Sequence, residues 1–227
     1  MVLSCNSKQE AQNTIGDDAN EHNLSESTPK QKPKMRKFTN DDFYENGKLS
    51  AEKTLAAYRE MFDYYNYPVD EWLLQHMFIS DFGLGDFVNV GMGGVFWIND
   101  PVAGYFGHEI FLLPGQMIVE HKHVKTEYPA KMESWHVRHG LAYNFGEVGE
   151  TEGMPSLPAS QDGHITVDRF VKTERGLIST LNRVEASHFM MGGPEGCIVS
   201  EYANYHDGNG LRFTNPNVVF ADVLGNN

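Results

Sequence analysis

Residues 108–123 read HEIFLLPGQMIVEHKH, and residues 130–140 read AKMESWHVRHG. Each contains histidine and glutamate, and each carries the branched and aromatic side chains that favour a pleated backbone. In a strand, successive side chains point to opposite faces, so in MIVEHKH the residues Met117, Val119, His121 and His123 should share one side and Ile118, Glu120 and Lys122 the other. Two neutral imidazoles at that spacing can reach one metal ion together. Ten residues on, Glu133 opens ESWHVRHG on the same face as Trp135 and Val137. A carboxylate beside such neighbours is costly to bury unless a cation meets it, and a metal would.

The texture around these stretches is uniform. From Phe78 onward, short runs such as FVNVG, GVFWIND, LAYNFGEVG, HITVDRF, GLISTL and CIVSEY are separated by glycine and polar breaks, without helical periodicity. Many short strands joined by turns predict an all-β antiparallel sandwich or barrel. Residues 149–163, with two prolines, two serines and several acids, read as a loop inserted between strands. Ahead of the strands, Leu55, Tyr58, Met61, Phe62 and Tyr65 fall at helical spacing behind Ser50 as N-cap, and residues 70–76 predict a second, short helix.

Composition bounds the function. At 227 residues the chain suits one domain, read as residues 38–227, behind an arm of residues 1–37 too polar to order itself. A formal charge of -13 argues against nucleic acid, whose phosphates need an excess of Lys and Arg. No apolar run approaches the length of a membrane span. The opening MVLSC resembles the end of a bacterial lipoprotein signal with Cys5 as the lipidation site, which would tether the protein to a membrane; otherwise the chain reads as cytoplasmic. Cys5 and Cys197 are the two cysteines, so any metal must be held by histidine and carboxylate.

A further inward ligand should come from a later strand, and His188 in VEASHFMMGG has the apolar neighbours for it. Three imidazoles and one carboxylate leave open positions on an octahedral ion such as manganese or iron. Cys197, Val199 and Glu201 alternate onto one face of an apolar strand, where desolvation should raise the Glu201 pKa toward the working range of a general base. Glu133 is the rival base. Lys131 could donate to a substrate oxygen or stand as a solvated lysine. His108 could face the pocket, and His206 and Asp207 could meet hydroxyls or simply form the turn YHDGNG. His136 and His139 read as surface or packing polarity.

In sequence order these motifs resemble the D-lyxose isomerase family: a turn of LFPGQ type, His-x-His, then Lys-x-Glu before Arg-x-Gly, here LLPGQ, HKH, KME and RHG. The likeness extends upstream through DYYNYPVDEWLLQHMFISDFGLG and downstream through GCIVSEYANYHDGNGLRFTNPNV. It implies a cupin jelly-roll barrel, an aldose–ketose isomerase acting on a monosaccharide, a homodimer, and a divalent metal, manganese first, with iron, cobalt or zinc as alternatives. Carried over by position, it implies the metal ligands His121, His123, Glu133 and His188, with Lys131 and Glu201 as catalytic pocket residues. Arg138, His108, His206 and Asp207 are the expected substrate contacts. The chain departs from the family before His188, where TLNRVEASH lacks a Pro-Pro-Gly turn, and in residues 149–163, which have no counterpart. A cupin dioxygenase and a sugar-binding cupin without activity remain the alternatives.

Overall fold

Ser50 begins the first helix as expected. Its hydroxyl accepts from the Lys53 N–H, which satisfies one of the free donors of α1 (Ala51–Tyr65). The helix buries Ala57, Tyr58, Met61 and Phe62 on one face, and Asn66 closes it in the left-handed conformation. Asp70 caps α2 (Glu71–His76) through the Leu73 N–H. The computed structural model describes residues 34–225. The predicted arm therefore lies outside the described residues up to residue 33, as does Cys5. Residues 34–37, read as its end, belong to the folded part: the Met35 N–H donates to Glu195 at 2.6 Å, and Arg36 pairs with Asp42 and Glu60.

The strands follow in chain order: β1 (Tyr44–Glu45), β2 (Lys48–Leu49), β3 (Met77–Ser80), β4 (Met92–Asp100), β5 (Tyr105–Leu112), β6 (His121–His123), β7 (Glu133–Gly146), β8 (Arg169–Glu174), β9 (Ile178–Thr180), β10 (Phe189–Asn204) and β11 (Leu211–Phe213). The main sheet runs β3-β4-β5-β10-β7-β8, with β9 also on β7, and every pairing is antiparallel. β6 pairs with β11 in a separate ribbon. This is the all-β cupin barrel with a helical lead-in that the motif order implied.

Alternation decides what each face of the sheet buries. Phe111 and Ile198 join Tyr58, Met61, Phe62 and Leu73 in a cluster beneath the two helices. Their neighbours Ile110, Leu112, Cys197 and Val199 point the other way, into a second cluster with Trp135, Val137, Phe145 and Phe189. The helices thus cover the outside of the sheet and leave the inner face to the site. At Gly140, beside an irregularity in the pairing of β7 with β10, φ is +73° and a Cβ would lie 2.1 Å from the Gly196 carbonyl oxygen, so only glycine fits.

Two expectations about strands are corrected. Residues 87–91 form a turn with one isolated bridge, Val90 to Met117, because the Asp86 carbonyl accepts from both Asn89 and Val90. MIVEHKH is strand only over its last three residues. Before His121 the chain runs buried on both sides, and Glu120 is 1% exposed. Its carboxylate accepts from the Thr166 N–H (2.7 Å), the Thr166 hydroxyl (2.6 Å), the Val167 N–H (3.1 Å) and the Thr214 hydroxyl (2.6 Å). It thereby ties the end of the inserted loop and the end of β11 to the residue beside His121. Glu120→Ala strands these donors and is expected to lower the melting temperature by on the order of 10 °C, read by calorimetry.

Candidate metal centre and active-site cavity

Register brings the inner-face residues together. Glu201 on β10 lies opposite His108 on β5 and opposite Trp135 on β7, and Ala203 lies opposite Glu133. Because Cys197 and Val199 face inward, Glu201 does too, on a level with His108 and next to Glu133. From the other side His121 and His188 form an antiparallel bridge, each backbone N–H donating to the other's carbonyl at 3.0 and 2.9 Å. Their rings stand 4.4 Å apart, and that of His123 lies 5.1 Å from His121.

The three histidines offer nitrogens that all lie within 4.8 Å of one another. His121 and His188 each place Nδ1 2.9 Å from a backbone carbonyl two residues upstream, that of Val119 and that of Ala186. A carbonyl can only accept, so Nδ1 carries a hydrogen in both rings, and Nε2 is the nitrogen through which either ring would hold a metal. Burial, with His188 and His123 beside it, holds the His121 pKa well below the usual histidine value, which leaves the ring neutral. Glu133 completes the group: its Oε1 lies 2.8 Å from His123 Nε2, and its Oε2 lies 3.4 Å from His188 Nε2. Neither Glu133 Oε1 nor His188 Nε2 has an aligned hydrogen bond among the described residues. Buried donor atoms turned toward a common point without bonding each other fit a cation, and the set fits a divalent metal.

Lys131 is the link to the second carboxylate. It is 5% exposed, not the solvated lysine that was one of its two readings, and its Nζ lies 3.2 Å from Glu133 Oε1 and in contact with Glu201 Oε1. The other Glu201 oxygen accepts from His108 Nδ1 at 3.1 Å. This corrects the direction expected for Glu201. Burial pushes its pKa up, but the Lys131 ammonium, with help from His108, outweighs burial and holds it at about 2. The same lysine, with His123 and His188, keeps Glu133 well below the carboxylate range despite its burial. Lys131 itself stays charged, since the two acids more than offset its own burial.

These groups line a cavity of about 420 Å³, within the size range of small-molecule sites. His206 also lines it. Its ring stacks on Phe106, its Nδ1 has no partner among the described residues, and burial, with Lys131 nearby, pulls its pKa down to about 3. Two expected substrate contacts are not in the cavity. Arg138 is exposed, because Trp135 and Val137 take the inner face of β7 and an odd step sends residue 138 outward. Asp207 caps the short turn Gly208–Gly210 and accepts from the Thr126 hydroxyl at 2.6 Å, so it shapes the loop. His139 packs against Tyr65 and Tyr67 under the helices. The clamp at Glu120 was missed by sequence reading, since an acid beside two histidines carries no local sign of which distant hydroxyls it meets.

No family model matches the chain. A D-lyxose/D-mannose isomerase of Thermosediminibacter oceani is 31% identical to it over 142 residues, spanning 62% of this chain and 77% of that protein. A D-lyxose ketol-isomerase of Cohnella laeviribosi is 30% identical over 154 residues, spanning 66% and 82%. Among solved structures, a variant of Acinetobacter sp. DL28 L-ribose isomerase in complex with L-ribose superposes with a TM-score of 0.56 at 15% identity, covering 74% of this chain and 92% of that one. Cellulomonas parahominis L-ribose isomerase with L-psicose gives 0.53 at 16% identity, covering 73% and 91%. At those identities the solved structures speak to the fold.

Proposed function

From the premise that this chain belongs to the D-lyxose ketol-isomerase family and is an aldose–ketose isomerase, we propose that it interconverts D-lyxose and D-xylulose, and D-mannose and D-fructose, with the help of a divalent metal. His121, His123, His188 and Glu133 would hold the ion, with manganese as the first expectation. One observation carries the reading: the two inner carboxylates share Lys131 but are divided between the histidines. Glu133 meets His123 and His188, whereas Glu201 meets His108. That division leaves one acid for the metal and one for the proton.

A bound metal would act as a Lewis acid on the sugar's carbonyl oxygen and stabilise the charge that develops there. Glu201 is ionised at neutral pH, as a base must be. It takes the proton from carbon 2 of the aldose; the C–H electron pair becomes the double bond between carbons 1 and 2, and the carbonyl π pair moves onto oxygen 1. Lys131 gives a proton to oxygen 1 and receives the one released by oxygen 2. Glu201 then returns its proton to carbon 1, and the ketose is complete. When Lys131 turns to the substrate its hold on Glu201 weakens, and the carboxylate becomes a stronger base at the moment it is needed. His108 fixes the Glu201 carboxylate in plane, and the free Nδ1 of neutral His206 can accept from a sugar hydroxyl.

Lys131 is the only Lys or Arg among the described residues lining the cavity, and two acids already neutralise it, so the free sugar rather than a sugar phosphate is the substrate. The test is incubation of the purified protein, supplied with Mn²⁺, with D-lyxose under an oxygen electrode. Equilibration with D-xylulose without oxygen uptake is expected. Oxygen consumption tied to sugar loss would instead favour a dioxygenase, and binding without conversion a sugar-binding protein.

A further inference from the structure

The cavity lining has two unlike parts. One holds the imidazoles, the two acids and Lys131. The other is an arc of phenyl rings that runs from His108 to His121: Phe78 lies 5.7 Å from the His108 ring, Phe220 lies 5.7 Å from Phe78, Phe82 lies 5.8 Å from Phe220, Phe213 lies 6.2 Å from Phe82, and His121 lies 6.2 Å from Phe213. None of the four phenyl rings offers a hydrogen bond, and all of them line the cavity. The arc is held in place at a cost. Phe82 has φ +55°, a region that bulky residues avoid, and it is kept there by the Ser80 hydroxyl, which accepts from its N–H at 3.1 Å, and by the Val219 N–H, which donates to its carbonyl at 2.9 Å. Glycines follow at 83 and 85 with positive φ of their own, so the strained turn could have been relieved by a glycine at 82, yet it carries a ring aimed into the cavity.

A sugar whose carbons 1 and 2 sit at the acids has its first hydroxyls met by the polar wall. Its far end then points at the rings. Phenyl rings receive C–H and methyl groups well, whereas a terminal hydroxyl pressed against them gives up its water without a replacement partner. Resting on the isomerase reading above, we propose that among hexoses the cavity selects those whose carbon 6 lacks a hydroxyl, so that a 6-deoxyhexose with the D-mannose configuration is turned over in preference to D-mannose itself. The preference lies in the sugar's tail and is independent of the proton transfer at its head.

The experiment measures kcat/KM of the metal-loaded enzyme for 6-deoxy-D-mannose, D-mannose and D-lyxose side by side. The 6-deoxy sugar is expected to exceed D-mannose by about 10- to 100-fold, the range in which an apolar pocket discriminates against an added hydroxyl. Turnover of D-lyxose with D-mannose equal to or better than its 6-deoxy form overturns this proposal and leaves the isomerase reading standing. Turnover of D-lyxose with neither hexose accepted also overturns it, since the wall then closes the site by size. Failure on all three sugars overturns both.

Discussion

Glu201→Gln is expected to lower kcat for D-lyxose by about 1,000-fold, within the range that a general base contributes, while metal content and melting temperature stay close to those of the unaltered protein. The amide keeps the shape of the carboxylate and can still contact His108, but it cannot accept a proton from carbon. Its partners are what separate the two effects: Glu201 contacts Lys131 and His108, and among the described residues no hydrogen bond or ion pair links it to the three clustered histidines. KM should change little, because a group acting on the reacting carbon stabilises the transition state more than the bound sugar. A variant that retains turnover would move the base role to Glu133, whose oxygens lie nearer the imidazoles.

His123→Ala should act on the metal first and on turnover as a consequence. Adding Mn²⁺ at about 1,000 times its dissociation constant stabilises a protein that binds it only when folded by about 4 kcal/mol, or about 10 °C for a chain of this size. Removing one of four ligands is expected to weaken the ion by at least about 100-fold, and the same Mn²⁺ concentration should then give roughly a third of that upward shift. The metal-free variant should melt somewhat below the metal-free parent, because His123 is buried and its Nε2 lies 2.8 Å from Glu133 Oε1, a contact that its loss removes. Scanning calorimetry with and without Mn²⁺ reads both quantities.

Much of this site could be read from order and alternation alone. His121 and His123, two residues apart, are brought to one side by the pleat of β6, and Glu201 faces inward because Cys197 and Val199 do. Ser50 and Asp70 marked both helix starts, since a side-chain oxygen ahead of an apolar period is a local signal. What failed depended on partners distant in sequence. The pKa of Glu201 was expected to rise because burial is legible from an apolar strand, whereas the ammonium that reverses the shift comes from Lys131, seventy residues away. Arg138 was placed in the pocket by its position in a motif, although the alternation that put Trp135 and Val137 inside already turned it outward. Glu120 was read as lying on the opposite face from His121 in a strand that in fact begins one residue later, and the hydroxyls it binds belong to Thr166 and Thr214. The inserted loop was recognised by its prolines, yet Met154 and Leu157 pack it onto the barrel core, which no turn signal could reveal.

The most direct measurement pairs metal analysis of the purified protein with D-lyxose turnover on the same sample, before and after chelation. The account predicts one divalent ion per chain, loss of turnover when it is stripped, and recovery on adding Mn²⁺. Full turnover by protein from which all metal has been removed would contradict it.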